Sequence, residues 1–331
     1  MNRHSLKRDI LRATGMLDYL WKKIAPGLYV FNYHRIGNPD ETPFDPNIYS
    51  CDEMHFAKHV TAIKHRFKVI NTRQLLEIIA SGDTLREPMA MITFDDGYRG
   101  NYDNAFPILR AANVPGLFFL PTSYISSNHV PWWDEVAWLI KNTQHDVIKV
   151  PGSNHVIAID RRNIKQTIRT VLTNIKNDAT FTLAEKIIRL RVVCGCEMSL
   201  ENSDLFMTWA QVAEMQQGGM DIGSHGHSHE ILSHLSTDEQ RTELMLSKRL
   251  IEEHVNAPVD AVAYPVGGKT TYTQETCAIA KECGYKVAFN FIPGYNKNPG
   301  DTPFEILRIP VEDNWEPDDL KYAAVFALAQ P

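Results

Sequence analysis

Apolar residues in this chain fall into two kinds of pattern. Short unbroken or alternating runs occur at 28–33, 67–70, 89–94, 116–120, 220–223, 261–264, 286–291 and 306–311, and these predict strands. Between them, apolar positions recur every three or four residues at 54–65, 72–80, 105–112, 209–217, 237–256 and 273–283, which predicts helices. Strand and helix alternate along most of the chain. Parallel strands need crossover connections of this kind, so the pattern predicts an α/β barrel or an open parallel sheet. No internal repeat or low-complexity stretch interrupts it.

Two regions depart from the alternation. Residues 5–24 carry Leu6, Ile10, Ala13, Leu17, Leu20 and Ile24 at spacings of three and four, with basic residues outnumbering acidic ones elsewhere. They predict an N-terminal helix within residues 1–26. Packing on its own fold is the plainer reading and peripheral contact with a membrane surface the second. Residues 127–205 hold an aromatic patch (Trp132, Trp133, Trp138), a turn signal at Pro151-Gly152 and a basic run containing Arg161, Arg162, Lys165, Arg169 and Lys176. That is too long for a plain loop, and it reads as an inserted, mostly helical subdomain.

Composition narrows the function classes. The chain has 331 residues, 44% of them hydrophobic, enough for a barrel with an insertion. A formal net charge of -6 argues against nucleic acid as a partner. Five cysteines with no CxxC pair argue against a disulfide framework or a zinc knuckle. Basic residues break any secretory apolar region near the start, and no apolar run is long enough to span a bilayer, so a cytoplasmic location is expected, with the inner-membrane surface as its alternative.

Two clusters carry chemistry. An apolar run ends in Thr93-Phe94-Asp95-Asp96-Gly97. Adjacent carboxylates repel each other, and a cation would relieve them, with one acid on a metal and the other on a water. Taken alone, Asp-Asp-Gly is also an ordinary turn signal. The second cluster is Ser224-His225-Gly226-His227-Ser228-His229, again just after a predicted strand. Two histidines and one carboxylate would leave a zinc-type site open, as catalytic sites are. A solvated histidine-rich loop is the competing reading.

Together these motifs resemble the polysaccharide deacetylases, carbohydrate esterase family four. Their TFDDG motif stands here at Thr93–Gly97, and their His-(Ser/Thr)-x-x-His motif aligns with His225–His229, with Gly226 in the Ser/Thr place. The resemblance covers residues 28–125 and 205–312. It implies a distorted (β/α) barrel of about seven parallel strands, with the 127–205 insertion interrupting a barrel that spans 27–331. It further implies Asp95 as general base and Asp96, His225 and His229 as ligands of zinc, or of cobalt or nickel.

The family's Arg-x-Pro-Tyr motif falls on Ala263-Tyr264-Pro265-Val266, so its Arg and Tyr are missing. Arg308, late in the chain, is a candidate substitute for the Arg, and the backbone N–H of Val266 for an oxyanion donor. The usual C-terminal catalytic histidine is also missing. His34, in Asn32-Tyr33-His34-Arg35, resembles the N-terminal histidine of the poly-N-acetylglucosamine deacetylase branch and is taken as the general acid. Tyr98, Tyr264, Pro265, Trp132, Trp133 and Trp315 are candidate sugar contacts, with core or subdomain packing the plainer reading for the aromatic rings of Tyr98, Trp132, Trp133 and Trp315. The expected activity is metal-dependent removal of N-acetyl groups from amino sugars of a polysaccharide or glycolipid. The alternatives are a hydrolase of another C–N bond and a glycan-binding protein with impaired catalysis.

Overall fold

The structure is a computed structural model that describes residues 3–128, 130–152, 155–177, 180–196 and 204–329. The chain divides into two compact units.

The first unit, residues 1–37, 50–127 and 206–331, is a closed parallel barrel. Its strands are β1 (Gly27–Tyr33), β2 (Lys68–Val69), β3 (Pro88–Phe94), β4 (Leu117–Leu120), β5 (Asp221–Ser224), β6 (Ala261–Ala263), β7 (Val287–Pro293) and β8 (Ile306–Pro310). Seven of them close a ring in the order β1-β8-β7-β6-β5-β4-β3, and β3 returns to β1 through a long register from Gly27↔Pro88 to Tyr33↔Phe94. The two-residue β2 pairs only with Met89 and Ala90 of β3 and adds an eighth strand outside the ring.

Alternation along the strands sorts side chains between two apolar clusters, as the period of a strand requires. Leu28, Val30, Met89, Met91, Leu117, Phe119, Ala261, Ala263, Val287, Phe289 and Ile306 form one. Their neighbours Tyr29, Phe31, Tyr33, Ala90, Ile92, Phe94, Phe118, Val262 and Ala288 form the other, packed against helices through residues such as Phe56, Val60, Leu109, Leu244 and Leu320. The inward positions turn polar near the strand ends. In β1 they read Leu28, Val30, Asn32, then His34; in β3, Met89, Met91, Thr93, then Asp95; in β8, Ile306 and Arg308. Chemistry is therefore concentrated where α/β barrels place it, at the C-terminal ends of the strands.

The N-terminal region forms two helices where one was expected over 5–24. Arg3–Ala13 (α1) and Met16–Lys22 (α2) are separated at Gly15, which takes φ 68. A left-handed residue cannot continue a right-handed helix. Leu17, Trp21 and Ile24 are buried, whereas Leu6, Ile10, Met16 and Tyr19 are exposed. Arg8 and Arg12 of α1 pair with Asp319 and Asp318.

The second unit consists of residues 38–49 and 128–205. Its core is built by helices Trp132–Asn142, Ile164–Asn177 and Leu183–Cys194 and by an antiparallel hairpin of Val147–Lys149 and Val156–Ala158. Pro151-Gly152 lies between the hairpin strands, with Gly152 at φ 81. Sequence periodicity gave no sign that 38–49 belongs here. Tertiary hydrogen bonds hold it: Lys141 Nζ donates to the carbonyls of Thr42 and Phe44, and the Asp45 N–H donates to Asp134. All five cysteines are free. Among the described residues no helix is long and apolar enough to cross a membrane.

Candidate metal and hydrolytic centre

Asp95 and Asp96 follow β3 directly and point to different partners. The turn that separates them needs Asp96 at φ 72 and Gly97 at φ 69. Aspartate tolerates this left-handed region better than most residues. A Cβ at Gly97 would come within 2.9 Å of Ile125, so both the backbone angle and the space require glycine there.

Asp95 is buried and held on all sides. Arg308 forks onto its carboxylate, with Nη1 2.7 Å from Oδ1 and Nη2 2.9 Å from Oδ2. Asn32 Nδ2 donates to Oδ2 at 3.2 Å, and the Asp95 N–H donates to the Tyr33 carbonyl at 3.0 Å. Arg308 is itself fully buried. Its remaining N–H groups reach the Asn32 side-chain oxygen and the Asn290 carbonyl, both at 2.6 Å. Thr93 Oγ1 completes the network by donating to Asn32 at 2.7 Å. A planar, five-donor cation suits such a bidentate buried contact in a way a lysine would not. Burial opposes ionisation of Asp95, but the charges of Arg308, His225 and His34 outweigh it and hold the carboxyl below its usual range. His34 sits at the end of β1, its Nε2 3.9 Å from Asp95 Oδ2 and its ring edge-on to Phe291.

Asp96 turns toward the histidines. Its Oδ1 lies 3.3 Å from His229 Nε2 and 3.6 Å from His225 Nε2. One ligand atom from each of Asp96, His225 and His229 falls within a 4.8 Å cluster, so the three can hold a metal ion together. The donor chemistry fits zinc: two imidazole nitrogens and one carboxylate oxygen leave a position open. His225 Nδ1 meets the Ala263 carbonyl at 2.8 Å, which fixes the tautomer and leaves Nε2 as the ligand atom. Burial pushes the His225 pKa down to about 4, so its imidazole is neutral at neutral pH, as a ligand must be. Burial also opposes the charge on Asp96, yet the His229 contact and the surrounding histidines hold its carboxyl well below the usual range.

The loop carrying the histidines is fixed from two sides. Ser123 N–H donates to the His227 carbonyl, and Thr122 Oγ1 contacts His227 Nδ1 at 2.9 Å. From the other side, Glu243 accepts from the N–H groups of His227 and Ser228. His229 at φ 60 and Val266 at φ 62 join Asp96 as left-handed non-glycine residues around the centre. Strained backbone of this sort persists only where the surroundings enforce it, and it gathers at functional sites.

Several of the candidate sugar contacts are packed against other side chains. Tyr98 is fully buried, stacked on Phe206 with the Arg35 guanidinium over its ring. Tyr264 is fully buried against Tyr272 and donates to the Phe304 carbonyl. Pro265 is buried beside Gly226. Trp315 is half-buried against the barrel's core, and its carbonyl meets His59 Nε2 at 2.8 Å. Trp132 and Trp133 meet edge-to-face and pack on the core of the second unit. Asn32 and Glu243 escaped the sequence reading. An asparagine inside an apolar strand run was a signal for the first; nothing in helical periodicity marked the second.

Comparison with known proteins agrees with this geometry. The family model described as polysaccharide deacetylase matches residues 82–288. The chain is 33% identical over 208 residues to the "Putative polysaccharide deacetylase YxkH" of Bacillus subtilis (strain 168), a match covering 63% of this chain and 46% of that protein. The chain thus spans about half the length of this curated relative. Among solved structures, the Streptococcus pyogenes deacetylase PplD, in complex with acetate, is similar with a TM-score of 0.59 at 19% identity, covering 89% of this chain and 97% of that one. IcaB from Ammonifex degensii is similar with a TM-score of 0.56 at 18% identity, covering 91% and 98%. At these identities the structures speak for the fold.

Proposed function

The chain belongs to the polysaccharide deacetylase family, and from that premise we propose that it is a metal-dependent hydrolase removing N-acetyl groups from amino sugars of a polysaccharide or glycolipid. The observation that carries the reading is the pairing of two differently held carboxylates. Asp95 is locked ionised by Arg308, and Asp96 converges with His225 and His229 on one point.

Asp96, His225 and His229 would hold the ion, zinc by its donor set, with cobalt or nickel as substitutes. When bound, such an ion lowers the pKa of water and polarises the acetamide oxygen. The rest falls to the protein's own groups. Asp95, held below the usual carboxylate range, is a weak base, and it suits a water already made acidic. It accepts the proton of the attacking water while Arg308 and Asn32 keep its oxygens aimed. His34, 3.9 Å from Asp95, delivers a proton to the departing amine. The backbone N–H of Val266 is a candidate donor to the developing oxyanion. Acetate and a free amino sugar result.

The Arg missing from the third motif supported the reading of an impaired glycan binder. Arg308 removes that support by reaching both Asp95 oxygens from β8. The test is acetate release from N-acetylglucosamine oligomers before and after chelation, with metal content measured on the same sample. One metal per chain and chelator-sensitive release are expected. Metal without acetate redirects the search to other acylated glycans; absence of metal after incubation with zinc, cobalt or nickel refutes the mechanism.

Residues 5–24 supply a further partner reading. Leu6 and Ile10 of α1 and Met16 and Tyr19 of α2 are about half exposed, with Lys22 and Lys23 in solvent nearby. Apolar side chains beside lysines favour peripheral contact with an anionic lipid surface, near a glycolipid substrate. Co-sedimentation with phosphatidylglycerol vesicles, and its loss in Ile10→Ser/Tyr19→Ser, is the expected result. No co-sedimentation of the unaltered chain refutes the contact.

A further inference from the structure

Gly226 leaves the histidine loop without a side chain of its own between His225 and His227, and a neighbouring helix fills the gap. The helix Thr237–Val255 presents Glu243 to the loop. Glu243 Oε2 accepts from the backbone N–H groups of His227 and of Ser228, both at 2.8 Å. Its Oε1 accepts from Ser228 Oγ at 2.7 Å. Two successive N–H groups on one anionic oxygen form a concave backbone site of the kind that binds anions. The same carboxylate oxygen lies 3.4 Å from where a Gly226 Cβ would be, and Gly226 itself takes φ 75. A second contact from the same helix joins Ser247 Oγ to Ser224 Oγ at 2.8 Å, and the Gly226 N–H donates to Ser224 Oγ.

These contacts end one residue before His229. That residue sits at φ 60, a conformation disfavoured for any residue with a Cβ. The residue in the middle of the loop is glycine, which by itself restricts the backbone least. The groups that hold the loop come from outside it, Glu243 on one side and Thr122 and Ser123 on the other. We propose that Glu243 is a positioning residue that holds His229, and through it the Asp96–His225–His229 cluster, in metal-binding geometry. This rests on the metal reading above and adds to it a residue that touches neither metal nor substrate. Carboxylate hydrogen bonds are about twice as strong as neutral ones, so the charge as well as the shape of Glu243 matters.

The experiment measures zinc affinity by competition with a chromophoric chelator, and the visible spectrum with cobalt bound, for the unaltered chain, Glu243→Gln, Glu243→Ala and Ser247→Ala. Glu243→Ala should weaken zinc about 10- to 100-fold, the range seen when groups behind metal ligands are removed, and change the cobalt spectrum. Glu243→Gln keeps the shape but not the charge and should fall between it and the unaltered chain. Ser247→Ala should leave the affinity within a few-fold. Melting of each metal-free variant separates the alternatives. If Glu243→Ala and Glu243→Gln melt lower but bind zinc and shape cobalt as the unaltered chain does, Glu243 is only a structural brace and the proposal is overturned. If the unaltered chain itself binds neither metal, the metal reading has failed, and the proposal with it.

Discussion

The two corners of the centre are rigid for different reasons. The acid corner is held from within the barrel. Asp95 rests on Arg308 from β8, Asn32 from β1 and a carbonyl at the end of β1, all on strands already locked by the sheet. The histidine corner is a loop held from outside, by Glu243 of one helix and by the turn at Thr122-Ser123. One corner draws on buried charge, the other on hydrogen bonds to backbone. Removing a group from the first should therefore cost both fold and chemistry, whereas removing one from the second should cost chiefly metal affinity.

The largest expected break between the corners is Asp95→Asn. It should lower kcat by up to about 10,000-fold, roughly 5.5 kcal/mol, at unchanged metal content. Steady-state rates and metal analysis of the same preparation check this, and near-normal turnover would remove Asp95 as the base.

Arg308→Met should strike stability as well, by about 3–5 kcal/mol, because it strands a buried carboxylate. Urea unfolding measures the loss. The double variant Arg308→Met/Asp95→Asn should regain much of it, and if it does not, the ion pair is not what the acid corner depends on.

A third effect concerns the backing of β1. Burial lowers the His59 pKa to about 4, and its ring meets the Tyr33 hydroxyl and the Trp315 carbonyl. Below an unfolded pKa of about 6.5 the unfolded chain takes up a proton that folded His59 refuses until about pH 4. Stability must then fall as pH drops through that window, by roughly 3 kcal/mol from His59. His225 adds to the same limb. The lowered carboxyls of Asp95 and Asp96 act in the same direction only below the usual carboxylate range. Melting temperatures from pH 7 to 4 should show a shallower slope in His59→Gln; an unchanged slope would sink the assignment.

The smallest expected effect is His34→Gln, which should lower kcat about 100-fold, roughly 2.7 kcal/mol, with metal affinity intact. Loss of metal instead would place His34 with the histidine corner.

Much of this was legible in the sequence because it depended on local pattern. Alternating and periodic apolar positions set out the strands and helices, and the family's motifs brought the expectation of a barrel. Asp95, Asp96, His225 and His229 stood out because two clusters, each with an ordinary local reading of its own, occur together in the order of the family's motifs. The tertiary structure alone decided three things. It placed Arg308, 213 positions from Asp95, onto that carboxylate, since closing a barrel makes β8 and β1 neighbours. It buried Tyr98 against Phe206 and Tyr264 within a core whose other members are distant in sequence. And it turned one carboxylate of an ordinary helix, Glu243, toward the histidine loop. Periodicity reports which face of an element is apolar. It does not report which polar group on the other face will meet a backbone N–H across a gap that only the folded chain creates.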